Sequence, residues 1–215
     1  MVNFLDKVQP KNKIQLKQLV DYAFKHNIYD LNFIDTSKIT DMSELFININ
    51  HNFDVSSWDV SNVTNMKYTF YKCSMFTGKG LKNWDVSKVA NMELMFTWCK
   101  IFNADLSNWD MSNVENAGYM FYCCKNFNCD LSKWNVSKMT DMRHMFRLCK
   151  KFDCDLSNWD VSNVTDMYSM FTACENFKGK GLENWDVSKV KDMNYMFNGC
   201  DKASIPSWYK LYRRK

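Results

Sequence analysis

No stretch of about 18 apolar residues occurs anywhere in the chain, so the sequence offers no membrane-spanning helix and no membrane insertion is expected. The opening residues Met1-Val2-Asn3-Phe4-Leu5-Asp6 do not lead into the apolar core of a signal peptide, which makes the cytosol the expected site of synthesis. An excess of charge of one sign is missing too. Against 28 Lys and Arg stand 24 Asp and Glu, a net charge of +4 with the signs interspersed. That balance lacks the basic footprint of a nucleic-acid binder. Histidine is scarce: only His26, His51 and His144 are present, and none has a Ser, Cys or carboxylate at a repeat position with which to form a nucleophile-base pair. The expectation is a protein that is not an enzyme, with no catalytic residues, no cofactor and no metal. Nor does any segment look aperiodic enough to need a second core, so one elongated domain is expected.

What is present is repetition. The phrase Leu106-x-x-Trp109-x-Met111-x-x-Val114-x-x-Ala117-x-x-Met120-Phe121-x-x-Cys124-x-x-Phe127 recurs with variations between Leu31 and Cys200. Its register is fixed by Trp58, Trp84, Trp109, Trp134, Trp159 and Trp185, at spacings of 26, 25, 25, 25 and 26. A weaker copy precedes them, with Leu31, Ile34, Ile39, Met42, Leu45, Phe46 and Ile49 in the same slots. The first part of each unit alternates, Trp109 and Met111 to one side and Asp110 and Ser112 to the other, as a half-buried strand does. The second part places Ala117, Met120, Phe121 and Cys124 at i, i+3, i+4 and i+7, the inner stripe of a short helix. Asn65, Asn91, Asn116, Asp141, Asp166 and Asp192 stand where they would cap those helices. A lone unit of this size cannot bury its apolar face except against its neighbours. The expected fold is therefore an α/β repeat solenoid, a stack of about seven strand-turn-helix coils of about 25 residues.

Three regions follow: residues 1–30 as an N-terminal capping helix in which Asn12 caps a stripe of Leu16, Leu19, Val20 and Ala23, residues 31–203 as the repeats, and residues 204–215 as a C-terminal cap and basic tail. Ile205 to Tyr212 departs from the repeat and offers large rings to the last coil, while Arg213-Arg214-Lys215 is expected to fray. Two coils carry an extra residue in Gly78-Lys79-Gly80 and Gly179-Lys180-Gly181, where Gly permits positive φ at a widened corner. These loops lack the strand-loop-helix setting and the Lys-Ser/Thr ending of a phosphate-binding loop.

The run Asp155-Leu156-Ser157-Asn158-Trp159-Asp160-Val161-Ser162-Asn163-Val164-Thr165-Asp166-Met167-Tyr168-Ser169-Met170-Phe171 resembles the repeat of BspA-like leucine-rich-repeat surface proteins, and the resemblance extends over about Leu31 to Cys200. It implies a right-handed leucine-rich-repeat-type stack, a cell-surface or secreted location, and adhesion or binding of host proteins. It supplies no catalytic residues.

Six of the nine cysteines, Cys73, Cys99, Cys124, Cys149, Cys174 and Cys200, each follow a Trp by 15 residues and are expected to form a buried, reduced column. Cys124, Cys129, Cys149 and Cys154 also sketch a zinc site, and Cys129 with Cys154 a disulfide; reduced thiols are the favoured reading. The outward ladder Asp59, Asp85, Asp110, Asn135, Asp160 and Asp186 stacks like charges, so it needs local hydrogen bonds to Ser two residues on, neighbouring Lys88, Lys138 and Lys189, or a partner. It is the candidate partner-binding strip. The expected function is a non-catalytic scaffold, monomeric, binding a protein or cell-surface ligand; the alternative is a structural module that assembles with itself.

Overall fold

The computed structural model describes residues 7–213, so what was expected of Met1–Asp6 and of the tail residues Arg214 and Lys215 lies outside it. Helix α1 spans Lys13–Lys25. The Asn12 side chain accepts the Gln15 N–H at 3.0 Å, satisfying a first-turn amide, and Leu16, Val20 and Ala23 are buried against the first coil. Helix α2, Ser207–Tyr212, lies at the other end, where Tyr209 meets Phe197 edge-on at 5.0 Å.

Between these helices the described residues contain no strand longer than an isolated bridge and only two single-turn 3-10 helices, Leu81–Asn83 and Leu182–Asn184. The expected α/β solenoid of strand-turn-helix coils is therefore wrong. Each coil is a train of turns, and its hydrogen bonds show why. The N–H groups of Met92, Leu94, Phe96 and Trp98 donate to the next coil, to the carbonyls of Asn116, Gly118, Met120 and Tyr122 at 2.8–2.9 Å. The alternate N–H groups of Met95, Thr97 and Cys99 turn back to Met92, Leu94 and Phe96 at 3.0–3.3 Å. A helix would instead bond every amide within itself.

Ring spacing supplies the physical reason. Phe70, Phe96, Phe121, Phe146 and Phe171 stack nearly parallel with centroids 5.3–5.8 Å apart. Packed helices stand about 8–10 Å apart, too far for that contact, whereas hydrogen-bonded chains lie about 4.8 Å apart. The stripe at i, i+3, i+4 and i+7 is kept by placing residues such as Leu94 (φ 58°) and Trp98 (φ 64°) in the left-handed region. Asn65, Asn91, Asn116, Asp141, Asp166 and Asp192 cap no helix. They form the parallel bridges from coil to coil, each accepting the N–H two residues on, as Asn91 does from Glu93 at 2.9 Å.

On the opposite side the inward-outward alternation holds without a strand. Trp109 and Met111 are buried and Asp110 is exposed, but Trp109 N–H bonds Leu106 C=O in a local turn. Each indole bridges coils instead: Trp109 Nε1–H donates to Leu81 C=O at 2.8 Å, and Trp134 and Trp159 donate to Leu106 and Leu131. Trp208 in α2 continues the column by donating to Leu182 C=O at 2.9 Å, so the C-terminal segment keeps one element of the repeat. In the six-member cysteine column each S–H donates to a Phe carbonyl of the preceding coil at 2.7–3.0 Å, which explains a thiol where a methyl would fill the space.

All nine thiols are free and buried, and Cys129 and Cys154 form no disulfide. Burial pushes the Cys73 thiol pKa up to about 12 and those of Cys99, Cys124, Cys149 and Cys174 well above the ordinary thiol range. Native protein is expected to react slowly with a thiol reagent and to release nine reactive groups on denaturation without reductant. The unfolded chain ionises its thiols near pH 9 while the folded chain retains the protons, so stability should fall as pH rises above about 9. Thermal melts at pH 7 and 10 check the sign; a deficit of two thiols after denaturation would reveal a disulfide.

Candidate binding faces

The Asp strip lies on an exposed edge of the coils. Asp59, Asp85, Asp110, Asn135, Asp160 and Asp186 each accept, through Oδ1, the N–H of the Ser two residues on, at 2.9–3.1 Å. The Ser side chains and amides hold Asp85, Asp160 and Asp186 below the usual carboxylate range. These residues are locally bonded, one coil above another. Lys88, Lys138 and Lys189 do not pair with them directly; they donate to Asn62, Asn113 and Asn163 of the preceding coil at 2.6–2.8 Å. The same Asn side chains donate to the carbonyls of Ser37, Ser87 and Ser137, so this row staples coils together.

The two Gly-Lys-Gly corners are structural. Lys79 pairs with Asp54 and Lys180 with Asp155, and the Lys180 contact, with Ser157, holds Asp155 down at about 2. Gly80 sits at φ 89° against the backbone of Ser56.

A second face lies on the side that the sequence offers only as the next place to look after the Asp strip, around Arg143 and Tyr168. It is built on the turns that had been read as helices, around the left-handed residues Tyr68, Trp98, Tyr119, His144 and Tyr195. Rings run along it in contact: Trp98–Tyr122 at 6.0 Å, Tyr119–His144 at 4.3 Å, His144–Tyr168 at 5.0 Å and Tyr168–Tyr195 at 5.7 Å. Cations lie over rings of the same face: Lys67 on Tyr68, Lys72 on Tyr71, Lys100 on Trp98, Arg143 on Tyr119 and Arg147 on Tyr122, at 5.1–6.0 Å. Glu93 binds Lys67 at 2.6 Å and Arg143 at 3.5 Å, and Arg143 also reaches Asp141 at 3.3 Å. Burial, with Arg147 and Arg143 nearby, lowers His144 to about 4, so its neutral Nδ1 accepts from Arg147 at 3.4 Å. One slot on this side varies in identity from coil to coil, Lys67, Glu93, Gly118, Arg143, Tyr168 and Asn194, and this face uses Lys67, Glu93, Arg143 and Tyr168 of it. The legible signal was the recurrence of aromatic residues one slot further on, at Tyr68, Tyr119, His144 and Tyr195.

Among the described residues no group of three or more His, Cys, Asp or Glu could hold a metal ion. Cys124 and Cys149 turn to the carbonyls of Phe96 and Phe121, while Cys129 and Cys154 receive the N–H groups of Leu106 and Leu131 at 3.1 Å. His26 and His51 pack on the rings of Tyr22, Phe24 and Tyr29. A cavity of about 720 Å³ opens at the C-terminal end, lined by Tyr195, Phe197, Gly199, Tyr209, Lys210 and Arg213. No described helix is long and apolar enough to cross a membrane.

No curated protein and no solved structure matches the chain. One family matches twice, over residues 14–131 and 99–208, and the overlap of the two matches is what a repeated sequence produces. This supports a repeat family, without the leucine-rich-repeat branch that the sequence resembles. The chain belongs to the family described as Mycoplasma protein of unknown function, DUF285.

Proposed function

We propose that this protein is a non-catalytic binding scaffold, a repeat module that displays lateral faces to another protein or a cell-surface component. The observation that carries this reading is the contrast between fixed and varied positions. Trp, Phe and Cys repeat from coil to coil with the same bonds, whereas one outward slot changes: Lys67, Glu93, Arg143 and Tyr168, all half-buried, Asn194, exposed, and Gly118, buried. Side chains on such a frame are held before a partner arrives, which lowers the entropic cost of association.

The Asp strip is one proposed contact surface, suited to a partner that presents Lys or Arg. Reversing the charge at Asp110 and Asp160 together should change stability by about 1 kcal/mol or less, the scale of exposed sites, and should abolish capture of the partner isolated with the native protein. Chemical cross-linking followed by mass spectrometry, with a thermal melt of the double variant, tests both parts. Unfolding of the variant would make the strip structural; unchanged capture would place the contact elsewhere.

A further inference from the structure

The basic groups of the aromatic face divide into two sets. Lys67 and Arg143 are neutralised within the chain by Glu93 and Asp141. Lys72, Lys100 and Arg147 have no acidic partner within ion-pair distance among the described residues, yet each is placed over a ring, Tyr71, Trp98 and Tyr122. Arg147 is further fixed by His144, and its Nε is buried with no hydrogen-bond partner among the described residues. Trp98 and Tyr122 touch, so Lys100, Trp98, Tyr122 and Arg147 form one continuous patch. Tyr, Trp and Arg are the residues that dominate binding energy at protein interfaces. Held rings and cations of this kind lack only anions.

We propose that this face binds an extended acidic segment of a partner protein, with Lys72, Lys100 and Arg147 receiving carboxylates and Tyr71, Trp98 and Tyr122 packing against the segment's backbone and side chains. The proposal rests on the scaffold reading and adds a surface and a partner chemistry to it. Spacing sets the sequence of the segment. Lys72 and Lys100 belong to adjacent coils and Arg147 lies two coils further, so the three span about 14 Å along the stack at about 4.8 Å per coil. An extended chain advances about 6.7 Å for every second residue, so acidic residues at i, i+2 and i+4 lie on one side over nearly the same length. A nucleic acid fits less well. Its backbone carries a charge at every step and calls for a dense row of free cations; the intervening coil adds Lys125, but Lys67, Arg143 and Lys150 of the neighbouring coils are taken up by Glu93, Asp141 and Glu175.

The test is fluorescence anisotropy with a fluorescein-labelled nonapeptide of alternating Glu and Ser, against the full chain at physiological salt. Saturable binding with a Kd below about 100 μM is expected, with at least about tenfold loss in K100E/R147E. In case Arg147 is needed for folding, the exposed pair K72S/K100S should by itself weaken binding severalfold at an unchanged melting temperature. The reversed Asp110 and Asp160 variant should bind the peptide at least as well as the native chain, and a Lys-Ser peptide should not bind. No saturable binding up to about 1 mM would overturn the proposal, as would equal affinity in the folded K72S/K100S variant. Tighter binding of heparin or an oligothymidine than of the peptide, lost with the same substitutions, would overturn it in favour of a general polyanion site. If the peptide fails while a captured partner still depends on Asp110 and Asp160, the scaffold reading stands and this assignment falls.

Discussion

Replacing Trp109 with alanine should cost about 3 to 5 kcal/mol, the range for removing a large aromatic side chain from a packed core. The indole is 3% exposed, packs 6.2 Å from the Phe96 ring and donates to Leu81 C=O of the coil before it. Alanine therefore opens a cavity between coils and leaves that carbonyl without its indole donor. Phenylalanine should fall between, keeping an aromatic ring and losing the N–H. Asp110, one residue on, is exposed and contributes one turn bond, so Asp110→Ala should cost about 1 kcal/mol or less. Urea midpoints compare the three variants. Equal shifts for Trp109→Ala and Asp110→Ala would contradict the inside-outside assignment.

Gly80→Ala should cost about 2 to 5 kcal/mol although it adds a single methyl group. Its backbone is at φ 89°, where an L side chain is strained by about 1–2 kcal/mol. The added Cβ would lie 2.3 Å from Ser56 Cα, so the neighbouring coil's backbone must move, at the cost of an overpacked site, about 1–3 kcal/mol more. Gly118→Ala is the control. It has no positive φ, and its Cβ would meet Asp141 Oδ1 and Oδ2 at 3.2 Å, side-chain atoms that can give way. Denaturation of both variants should separate them clearly; equal midpoints would show that the Gly-Lys-Gly corner is not closely packed.

The sequence carried the radial order of the coils well. Trp109 and Met111 in, Asp110 out, the buried cysteine column and the cap at Asn12 could all be read, because alternation and apolar spacing report burial whatever the backbone does. The backbone itself was not legible. Met92, Met95, Phe96 and Cys99 satisfy a helical stripe, and they satisfy equally a train of turns with left-handed residues at Leu94 and Trp98. Leu, Trp and Tyr rarely adopt that conformation, so composition argued against it. The signal lay in the last slot of the pattern, where Asn48 in the first coil and Gly199 in the last are the two residue types that favour positive φ. Because those turns were read as helices, the rings and cations of Trp98, Tyr122 and Arg147 were not placed together and that side ranked second, around Arg143 and Tyr168, whereas the exposure of the Asp ladder followed from alternation.

Ala173→Gly tests the turn architecture most directly. Ala173 has φ 58° and lies in the slot that Gly199 fills in the next coil; its N–H donates across to Asn198 C=O. In a left-handed turn glycine relieves about 1 kcal/mol of strain, and the substitution should raise the urea midpoint or leave it unchanged. In a helix the same substitution removes the best helix former for one of the worst and costs about 1 kcal/mol. A midpoint that rises or holds supports coils of cross-bonded turns; a fall of the helical size would contradict them.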